Sequence, residues 1–410
     1  MELAADLITQ SKVIENLYMA RVSMQSAPGQ QLEEALLRLY VKILEFTSDA
    51  ARYFDKSKLA RIGGGLLQPA ETTIKKQIRE ILEQQKKVDS AVLHVKAQLD
   101  QNRDVVVDAE FIALRSLLSS MQTSAQGLYD QMAFIIDDLQ REHQNRLFDW
   151  LSSIPYSHYH DNVRKGRIAG TGQWLLKKEA YIDWKNSNRS SILWLHGIPG
   201  CGKSKLVSVV IDELVGQFST QRKEVPIAYF YCARDAAEKR RADPDEAARS
   251  IARQLCSFLQ GTASLELVRE AYQAATQQDL EAAKLDAQGC ANLISRLIPD
   301  RAVFIVIDAL DECNPSRRHE LMKLFESLLS QTDSTIKIFV SSRDDSDIFK
   351  RLRAGPNIPI RKDDNTEDIS RFIREKVDEY IGDGRLLEGN VSDGLKNDII
   401  CDLEAGAQGM

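Results

Sequence analysis

The most specific arrangement of chemically useful residues is a glycine-rich stretch near the middle of the chain. This stretch has the spacing G-x-x-x-x-G-K-S and reads Gly197-Ile198-Pro199-Gly200-Cys201-Gly202-Lys203-Ser204. It lies between an apolar run and a helical pattern. Glycines let backbone N–H groups turn inward around a phosphate, and the helix that follows presents its positive dipole end to the same anion. This stretch and the adjacent Lys205 are therefore predicted to hold a nucleotide, with Lys203 on the terminal phosphates and Ser204 on Mg²⁺.

A second group of acidic residues follows a predicted buried strand. The apolar run Val303–Ile307 ends in Asp308, which suits a carboxylate that holds Mg²⁺ through its water shell. Asp311 and Glu312 come just beyond the strand end, where a carboxylate can orient or deprotonate an attacking water. Glu312 is the favoured base and Asp311 the second candidate.

A third group places an arginine at the end of another strand. Arg343 follows the apolar run Lys337–Val340, where it can contact a γ-phosphate; the alternative is a surface arginine that only caps the strand. The sequence contains no asparagine-lysine-x-aspartate segment of the kind that reads guanine, so adenine is the favoured base. It contains no leucine-serine-glycine-glycine-glutamine segment either, which argues against a transporter-type ATPase.

The elements that must position these residues alternate between strand and helix after Ser190. Short apolar runs predict strands, and amphipathic stretches between them predict helices, a pattern typical of a parallel sheet covered on both faces. The predicted strands are Ile192–His196, Ile227–Tyr231, Ala302–Ile307, Ile336–Val340 and, weakly, Ile358–Ile360. The predicted helices are Ser204–Val215, Asp245–Leu259, Asp286–Ile298, Pro315–Leu329 and Glu367–Ile381.

The first third of the chain has only helical periodicity. Apolar residues recur at steps of three and four from Ile74 to Leu99 and again from Phe111 to Leu139, separated by a polar turn at 101–104. Two earlier helices, around Leu3–Met24 and Gln30–Phe54, would cover this pair, so the prediction is a four-helix bundle or coiled-coil hairpin. Its apolar seam is either a plain core or a partner-binding surface, and the sequence leaves both open.

These patterns predict the domain organisation. Residues 1–148 form a helical bundle with a signalling or regulatory role, and 149–190 form a linker and lead-in helix. Residues 191–362 form the P-loop NTPase core, and a helical segment over 363–410 follows it. In the linker, His158 and His160 are predicted to lie in a surface loop, since no further metal ligand is near them. Trp174 and Trp184 are predicted to share the helix after Thr171.

Composition bounds the class of protein. The 410 residues are 43% hydrophobic and 28% charged with a net charge of −6, which excludes a disordered chain and gives no basic footprint for nucleic acid. The acidic start Met1–Asp6 is not a secretory signal, and the longest apolar run, Ala302–Ile307, is far short of a membrane span. The six cysteines show no paired spacing and are expected to be reduced thiols in a cytoplasmic protein.

Five blocks of sequence, in order, resemble the NACHT NTPases of filamentous fungi. That family is the nephrocystin-like branch of the signal-transducing STAND ATPases and is related to the NOD-like receptors of innate immunity. The blocks are Gly170–Leu176, Trp194–Ser204, Ala228–Cys232, Ile307–Cys313 and Phe339–Arg343. The resemblance covers about Trp150 to Met410, whereas the helical first third is only weakly similar to the domains that precede NACHT in such proteins.

The resemblance implies a switch with an AAA+/STAND-like core. Such proteins are held closed with ADP, exchange it for ATP with Mg²⁺, and oligomerise, which clusters their N-terminal domains in nonself recognition or regulated cell death. By position, Lys203 and Ser204 would bind phosphate and Mg²⁺, Asp308 would support the metal, and Arg343 would be the sensor arginine. Asp311 and Glu312 would serve hydrolysis, and the segment Arg167–Thr171 would cover the adenine side.

The sequence departs from the family at its C-terminal end. It stops in the helical region after the sheet, where family members run on into a winged-helix segment and ankyrin, WD or TPR repeats, so it is expected to be a fragment or a truncated protein. His319 is the last histidine, so the histidine that often senses the ADP phosphate has no candidate.

Three functions are compatible with these features. The first is a Mg-ATP-binding switch with slow hydrolysis, a homo-oligomer on activation, that contacts protein partners through its N-terminal helices. The second is a non-enzymatic scaffold, whose helical hairpin recruits partners while the NTPase core is a passive nucleotide-binding platform. The third, a small-molecule kinase, has the least support because no acceptor-substrate pocket is evident.

Overall fold

The computed structural model describes residues 27–55, 67–99, 134, 138, 141–220, 225–259, 262–276, 283–299, 301–331 and 334–407. The chain divides into two compact units, Met1–Asn145 and Arg146–Met410. Over the described ranges, none of the helices combines the length and the apolar character needed to cross a membrane.

The first unit contains two long antiparallel helices, α1 (Ala27–Asp55) and α2 (Leu67–Leu99). Their direction follows from two contacts: Lys42 lies 2.9 Å from Glu80, and Gln77 donates a 2.7 Å hydrogen bond to Asp49. The predicted helix over Gln30–Phe54 is confirmed as α1. The helices predicted at Leu3–Met24 and from Phe111 to Leu139 lie outside the described residues, apart from two single helical positions.

The predicted seam on α2 is buried where its side chains are described. Those side chains are Ile81, Gln85, Val88, Val92 and Val95. Spacings of three and four place these residues on one side of the helix, so their burial is what an amphipathic helix requires. Among the described residues the Gln85 amide has no hydrogen-bond partner, which makes it a polar break in an apolar seam.

The second unit is an α/β domain. Its strands are β1 (Ser191–His196), β2 (Ile227–Tyr231), β3 (Val303–Asp308), β4 (Ile336–Ser342) and β5 (Asn357–Pro359). Its helices before and among the first strands are α3 (146–151 within this unit), α4 (Tyr156–Arg164), α5 (Gln173–Leu176), α6 (Glu179–Asn186), α7 (Lys203–Thr220), α8 (Pro244–Leu259) and α9 (Thr262–Thr276). The later helices are α10 (Ala287–Leu297), α11 (Arg318–Gln331), α12 (Ser346–Leu352), α13 (Thr366–Gly382) and α14 (Asp393–Ala407).

All strand pairings are parallel, in the order β2-β3-β4-β1-β5. The carboxyl ends of β1, β3 and β4 therefore meet at one edge of the sheet, since parallel strands run in one direction. In register, Leu193 of β1 faces Phe339 of β4, and Ile305 of β3 faces Ile338. This topology brings the segment after β1 next to the segments after β3 and β4, which follow it by more than a hundred residues, and it confirms the predicted parallel sheet.

Both faces of the sheet are covered, which explains why β3 is apolar throughout. Val303 and Ile305 belong to one buried cluster, with residues of α8, α10 and α11. Phe304 and Val306 belong to a second cluster on the other face, with residues of α6 and α7. Successive side chains of a strand point to opposite faces, so a strand between two helical layers needs apolar residues at every position.

The prediction for the segment after Pro155 was wrong. Instead of a surface loop, residues Tyr156–Arg164 form α4, and His160 is buried rather than solvent-exposed. Its Nδ1 lies 2.8 Å from the Tyr231 hydroxyl and its Nε2 3.1 Å from Asp212, so it joins α4 to β2 and α7. Trp174 and Trp184 also lie on two separate short helices, α5 and α6, rather than on one.

The burial of His160 predicts how stability depends on pH. Burial lowers the pKa of His160 below its ordinary 6.5, against the opposing effect of the Asp212 carboxylate, while Arg164 and Asp161 contribute smaller effects of opposite sign. The neutral imidazole is thus favoured by folding, so its contribution is complete above pH 6.5 and lost as pH falls through the folded pKa. We expect the free energy of unfolding to fall from pH 7.5 to 5.5, and to fall less in His160→Gln.

Urea titrations followed by tryptophan fluorescence measure this effect. All four tryptophans lie between residues 150 and 194, so their fluorescence reports on the second unit. His158→Gln changes an exposed histidine two residues away on α4 and should keep the pH profile of the parent. Identical profiles for His160→Gln and the parent would show that His160 is not the group responsible.

Candidate functional site

The glycine-rich loop connects β1 to α7, as predicted. Gly200 and Gly202 have φ angles of +83° and +86°, which side chains with a Cβ adopt only at a cost. A Cβ built on Gly202 would meet nothing within 4 Å, so open space lies beside the loop backbone at the point where α7 begins. The loop therefore has the left-handed turns and the adjoining space that a bound anion requires.

Lys203 is folded back over this loop. Its Nζ donates 2.9 Å hydrogen bonds to the carbonyl oxygens of Gly197 and Ile198, and it lies 3.7 Å from the Cys201 sulfur. Both carbonyls are neutral, so they orient the ammonium without neutralising its charge. That positive charge over the loop is suited to the phosphates of a nucleotide.

Ser204 and Asp308 lie together, as a shared metal site requires. Ser204 is close enough to the Asp308 carboxylate to favour its charged form, and the Ser341 hydroxyl donates a 2.5 Å hydrogen bond to it. Asp308 is only 3% exposed, and this burial raises its pKa, against the effect of the two hydroxyls. A buried carboxylate beside a hydroxyl is a donor set that suits Mg²⁺, whose charge would offset the cost of burying the carboxylate.

Ser341 is a residue of the candidate site that sequence reasoning missed. Besides holding Asp308, its hydroxyl accepts a 2.9 Å hydrogen bond from the backbone N–H of Ala309. Ala309 has a φ of +52°, an uncommon conformation for a residue with a Cβ, and this turns the chain sharply after β3. The turn directs the acidic segment Leu310–Glu312 back toward the end of β4.

Arg343 and the two acidic residues form one cluster. The Asp311 carboxylate accepts a 3.0 Å hydrogen bond from the Arg343 backbone N–H and lies 3.1 Å from its Nε. Glu312 lies farther from the guanidinium, at 3.7 Å, and accepts a 3.3 Å hydrogen bond from the Arg234 N–H. Asp311 is buried and doubly bonded, whereas 36% of the Glu312 side chain is exposed, so Glu312 is the carboxylate more accessible to water.

Two further arginines contact the backbone of the acidic turn. Arg234 Nη2 and Arg318 Nη1 both donate to the carbonyl oxygen of Asp311, at 2.7 and 3.1 Å. The buried Arg318 also contacts the carboxylates of Asp345 and Asp347, which come two and four residues after Arg343. Arg318 therefore fastens the turn after β3 to the loop after β4, and nothing in the local sequence pattern identifies it.

A cavity of about 710 Å³ opens beside the phosphate loop, within the size range of small-molecule sites. It lies between the loop, the lead-in segment after Gly166, and helices α13 and α14. Apolar side chains in its lining suit the faces of a base. They include Ile168, Trp174, Leu206, Val209, Ile369 and Phe372.

The lead-in segment is held on both sides of the cavity. Arg167 donates to Asp212 of α7 at 2.7 Å and to Ser208 at 3.1 Å. On the other side, the backbone N–H of Gly172 donates a 2.7 Å hydrogen bond to Asp368 of α13. Lys205, predicted as a nucleotide ligand, lines the cavity but donates to the carbonyl oxygens at positions 163 and 165, so its ammonium fastens the end of α4.

Gly172 provides a test of this wall. A Cβ at Gly172 would lie 2.9 Å from Val209 Cγ2 and 3.2 Å from Leu206 Cδ2, and φ is +78°. We expect Gly172→Ala to cost about 1 kcal/mol for the left-handed backbone and about 1–3 kcal/mol more for the overpacking. Gly166→Ala is the matched control, because its φ is +73° and its Cβ would meet nothing within 4 Å.

Urea unfolding of the two variants separates these costs. Gly172→Ala should lose more free energy of unfolding than Gly166→Ala, and the difference between them measures the steric part. Equal losses of free energy of unfolding would mean that Val209 and Leu206 move aside at no cost. The packing of Gly172 against α7 would then not limit the side chain at this position.

Comparison with known proteins agrees with this geometry. Residues 170–343, which contain the loop, Asp308, Asp311, Glu312 and Arg343, match the family model described as Nephrocystin 3, N-terminal. Residues 2–99 match a domain of unknown function, DUF7708. The vegetative incompatibility protein HET-E-1 of Podospora anserina is 27% identical over 230 residues.

That alignment covers 53% of this chain and 16% of HET-E-1, so the chain spans less than a fifth of its relative. The matches confirm the resemblance to fungal NACHT proteins that the five sequence blocks predict. They bear on the fold and on nucleotide binding in general, while the individual site residues stay predictions.

Proposed function

We propose that this protein is an ATP-binding signalling switch in nonself recognition. The premise is that the chain is NACHT-like and that its residues 170–343 match the nephrocystin 3 N-terminal family. The observation that carries the proposal is the convergence of three segments at one sheet edge. They are the glycine-rich loop after β1, Asp308 with the acidic turn after β3, and Arg343 after β4. The name of the relative, a vegetative incompatibility protein, supports the biological setting.

Nucleotide binding is assigned to the loop and the adjoining cavity. The backbone of residues 197–204 and the Lys203 ammonium would hold the phosphates, with the base against the apolar wall near Trp174. Ser204 and Asp308 would hold Mg²⁺, which supplies positive charge that offsets the charge of the phosphates. The cavity wall includes Ile168 and Thr171, in agreement with the adenine-side role expected for the segment Arg167–Thr171.

Hydrolysis is assigned to Glu312, with Arg343 and Asp311 as its neighbours. Glu312 is the more accessible carboxylate, so it is the group that can take a proton from water. Arg343 is held by Asp311 through its backbone N–H and its Nε, which fixes the arginine beside the two carboxylates. We expect hydrolysis to be slow, as in a switch.

Signalling is assigned to the helices that close the cavity. Three contacts join the lead-in segment to the chain around α13: Gly172 to Asp368, Lys178 to Asp364, and Arg371 to the carbonyl oxygen of Ala169. A bound base would therefore touch both the sheet domain and α13. Exchange of ADP for ATP at this site would change these contacts and drive association of copies through the N-terminal helices.

Glu312→Gln tests the proposal. Because the side chain keeps its shape and loses only its proton-accepting charge, we expect ATP affinity to be retained and hydrolysis to fall by about 100-fold or more. With ATP trapped, the variant should sediment as a larger species than the parent. Unchanged hydrolysis would show that Glu312 is not the base, and trapped ATP without any change in sedimentation would contradict the switch.

A further inference from the structure

Helix α1 has apolar residues on two opposite sides. The large apolar residues on its core side are all at most 4% exposed; they are Leu32, Leu36, Leu39, Ile43 and Phe46. At 100° per residue, Leu37, Val41 and Leu44 lie on the opposite side of the helix. They are 59%, 51% and 54% exposed, and we call these three residues the outer stripe. The fold of the helix pair does not require the outer stripe, so its apolar character needs another explanation.

The outer stripe has the spacing of a helix–helix seam. Its residues are separated by four and then three positions, as in the a and d positions of a coiled coil. A shallow cavity of about 260 Å³ borders it, formed by residues of α1 together with Gln84 of α2. A row of apolar residues beside a groove is the surface into which another amphipathic helix packs.

Charged residues along one flank of the outer stripe are self-complementary. Arg38 and Glu45 are seven residues apart and therefore lie on the same side of α1, and both are exposed. If two copies of α1 pair in opposite directions, Arg38 of each copy comes opposite Glu45 of the other, and the two-fold symmetry makes this ion pair twice. Parallel pairing in register would instead place Glu34 beside Glu34, two like charges.

The ion pairs that Arg38 and Glu45 already make do not prevent them from pairing with a second copy. Arg38 lies 2.6 Å from Glu34 and Lys42 lies 2.9 Å from Glu45, but these pairs are solvent-exposed and lie within one helix. Exposed pairs within one helix stabilise it only weakly, so an intermolecular pair can replace them at little cost.

We propose that the outer stripe of α1 is a self-association surface, which binds the same surface of a second copy of this chain in antiparallel orientation. This assigns a role to part of the region 2–99 that matches a domain of unknown function. It rests on the proposed function, because it names the surface through which activated copies would touch.

The size of the surface predicts a weak contact. Three residues on each copy form much less than the roughly 800 Å² per partner of a stable interface. The contact therefore becomes effective when other parts of the chain bring copies together and raise their effective concentration. A surface of this strength suits a switch, because isolated copies stay apart and clustered copies hold together.

Sedimentation of the full chain over a concentration series, with and without Mg-ATP, tests the proposal. The parent is expected to self-associate only at high concentration and more readily with Mg-ATP, and Val41→Glu is expected to weaken the association in both conditions while keeping the helical circular dichroism. Leu93→Glu is the matched control, because Leu93 is 50% exposed on α2 outside the outer stripe and should leave association unchanged.

Charge reversal tests the orientation and the identity of the partner. Arg38→Glu and Glu45→Arg should each raise the dissociation constant by about tenfold, because each sets like charges opposite one another twice. The double variant should restore the parent value, since it re-creates both ion pairs with opposite polarity.

Other outcomes overturn the proposal. A parent that stays monomeric at every concentration excludes a second copy as the occupant. Loss of helix or of thermal stability in Val41→Glu would show that the stripe packs within the chain. Equal effects of Val41→Glu and Leu93→Glu, or no recovery in the double charge reversal, would place the contact elsewhere. Nucleotide binding measured on the same samples keeps failure of this surface distinct from failure of the proposed switch.

Discussion

Lys203→Ala is expected to lower the affinity for ADP and ATP by about 100-fold, which corresponds to ~3 kcal/mol of lost interaction with the phosphates. The reason is geometric: Nζ sits over the loop on two neutral carbonyls, so its charge is available to an anion. Isothermal titration with Mg-ADP measures the change. The alanine variant should keep its fold, since it loses only two hydrogen bonds to a solvent-accessible loop.

The control for this result is another lysine. Lys323→Ala removes an exposed ammonium on α11 and should bind nucleotide as the parent does. If Lys203→Ala bound Mg-ADP with the affinity of the parent, the phosphate site would lie somewhere other than in the glycine-rich loop.

Arg318→Gln is expected to cost about 3 kcal/mol of folding stability. Arg318 is buried, and its removal leaves the carboxylates of Asp345 and Asp347 and the carbonyl oxygen of Asp311 without their cation. Breaking a buried pair by removing one partner costs about 3–5 kcal/mol, and the lower end applies because both carboxylates are partly exposed. Urea unfolding followed by tryptophan fluorescence measures this loss.

The neighbouring arginine is a matched control. Arg317 contacts three carboxylates, those of Asp243, Asp245 and Glu320, but 41% of its side chain is exposed. We expect Arg317→Gln to cost about 1 kcal/mol or less, because solvent screens exposed ion pairs. If the two variants lost equal stability, burial would not distinguish the two arginines and the clamp at Asp311 would contribute nothing of its own.

Arg318→Gln should also slow hydrolysis in a way that depends on Arg343. Arg318 acts only through the loops that carry Asp311 and Arg343, so ATP affinity should change little while the turnover rate falls. In an Arg343→Ala background, Arg318→Gln should have no further effect on the turnover rate. An additive effect would show that Arg318 does not act by positioning Arg343.

The sheet and its loop could be predicted from the sequence because local patterns determine them. The run Ile227–Tyr231 is observed as β2 with the predicted bounds, and the other strands differ by one or two residues. Apolar runs of this length between turn residues favour buried strands, and the glycine spacing restricts the loop that follows β1. These signals lie within a few residues of each other, so one sequence is enough to detect them.

The features that could not be predicted from the sequence depend on contacts between distant segments. Helix α4 was missed because Tyr156–Arg164 is mostly polar, and its one buried residue, His160, is stabilised by partners more than fifty residues away. Arg318 was missed because its carboxylate partners lie 27 and 29 positions further along the chain. The cavity beside the loop forms only when α13 and α14 fold back onto the lead-in segment, which no local spacing predicts.

The most direct test of the account is to identify the nucleotide that the purified chain carries. The protein is denatured, and the released small molecules are separated by ion-exchange chromatography and quantified against the protein. The account predicts close to one ADP per chain, since the loop, the buried Asp308 and the adjoining cavity form one site for an adenine nucleotide with Mg²⁺. A chain that releases no nucleotide and binds neither Mg-ADP nor Mg-ATP on titration would contradict it.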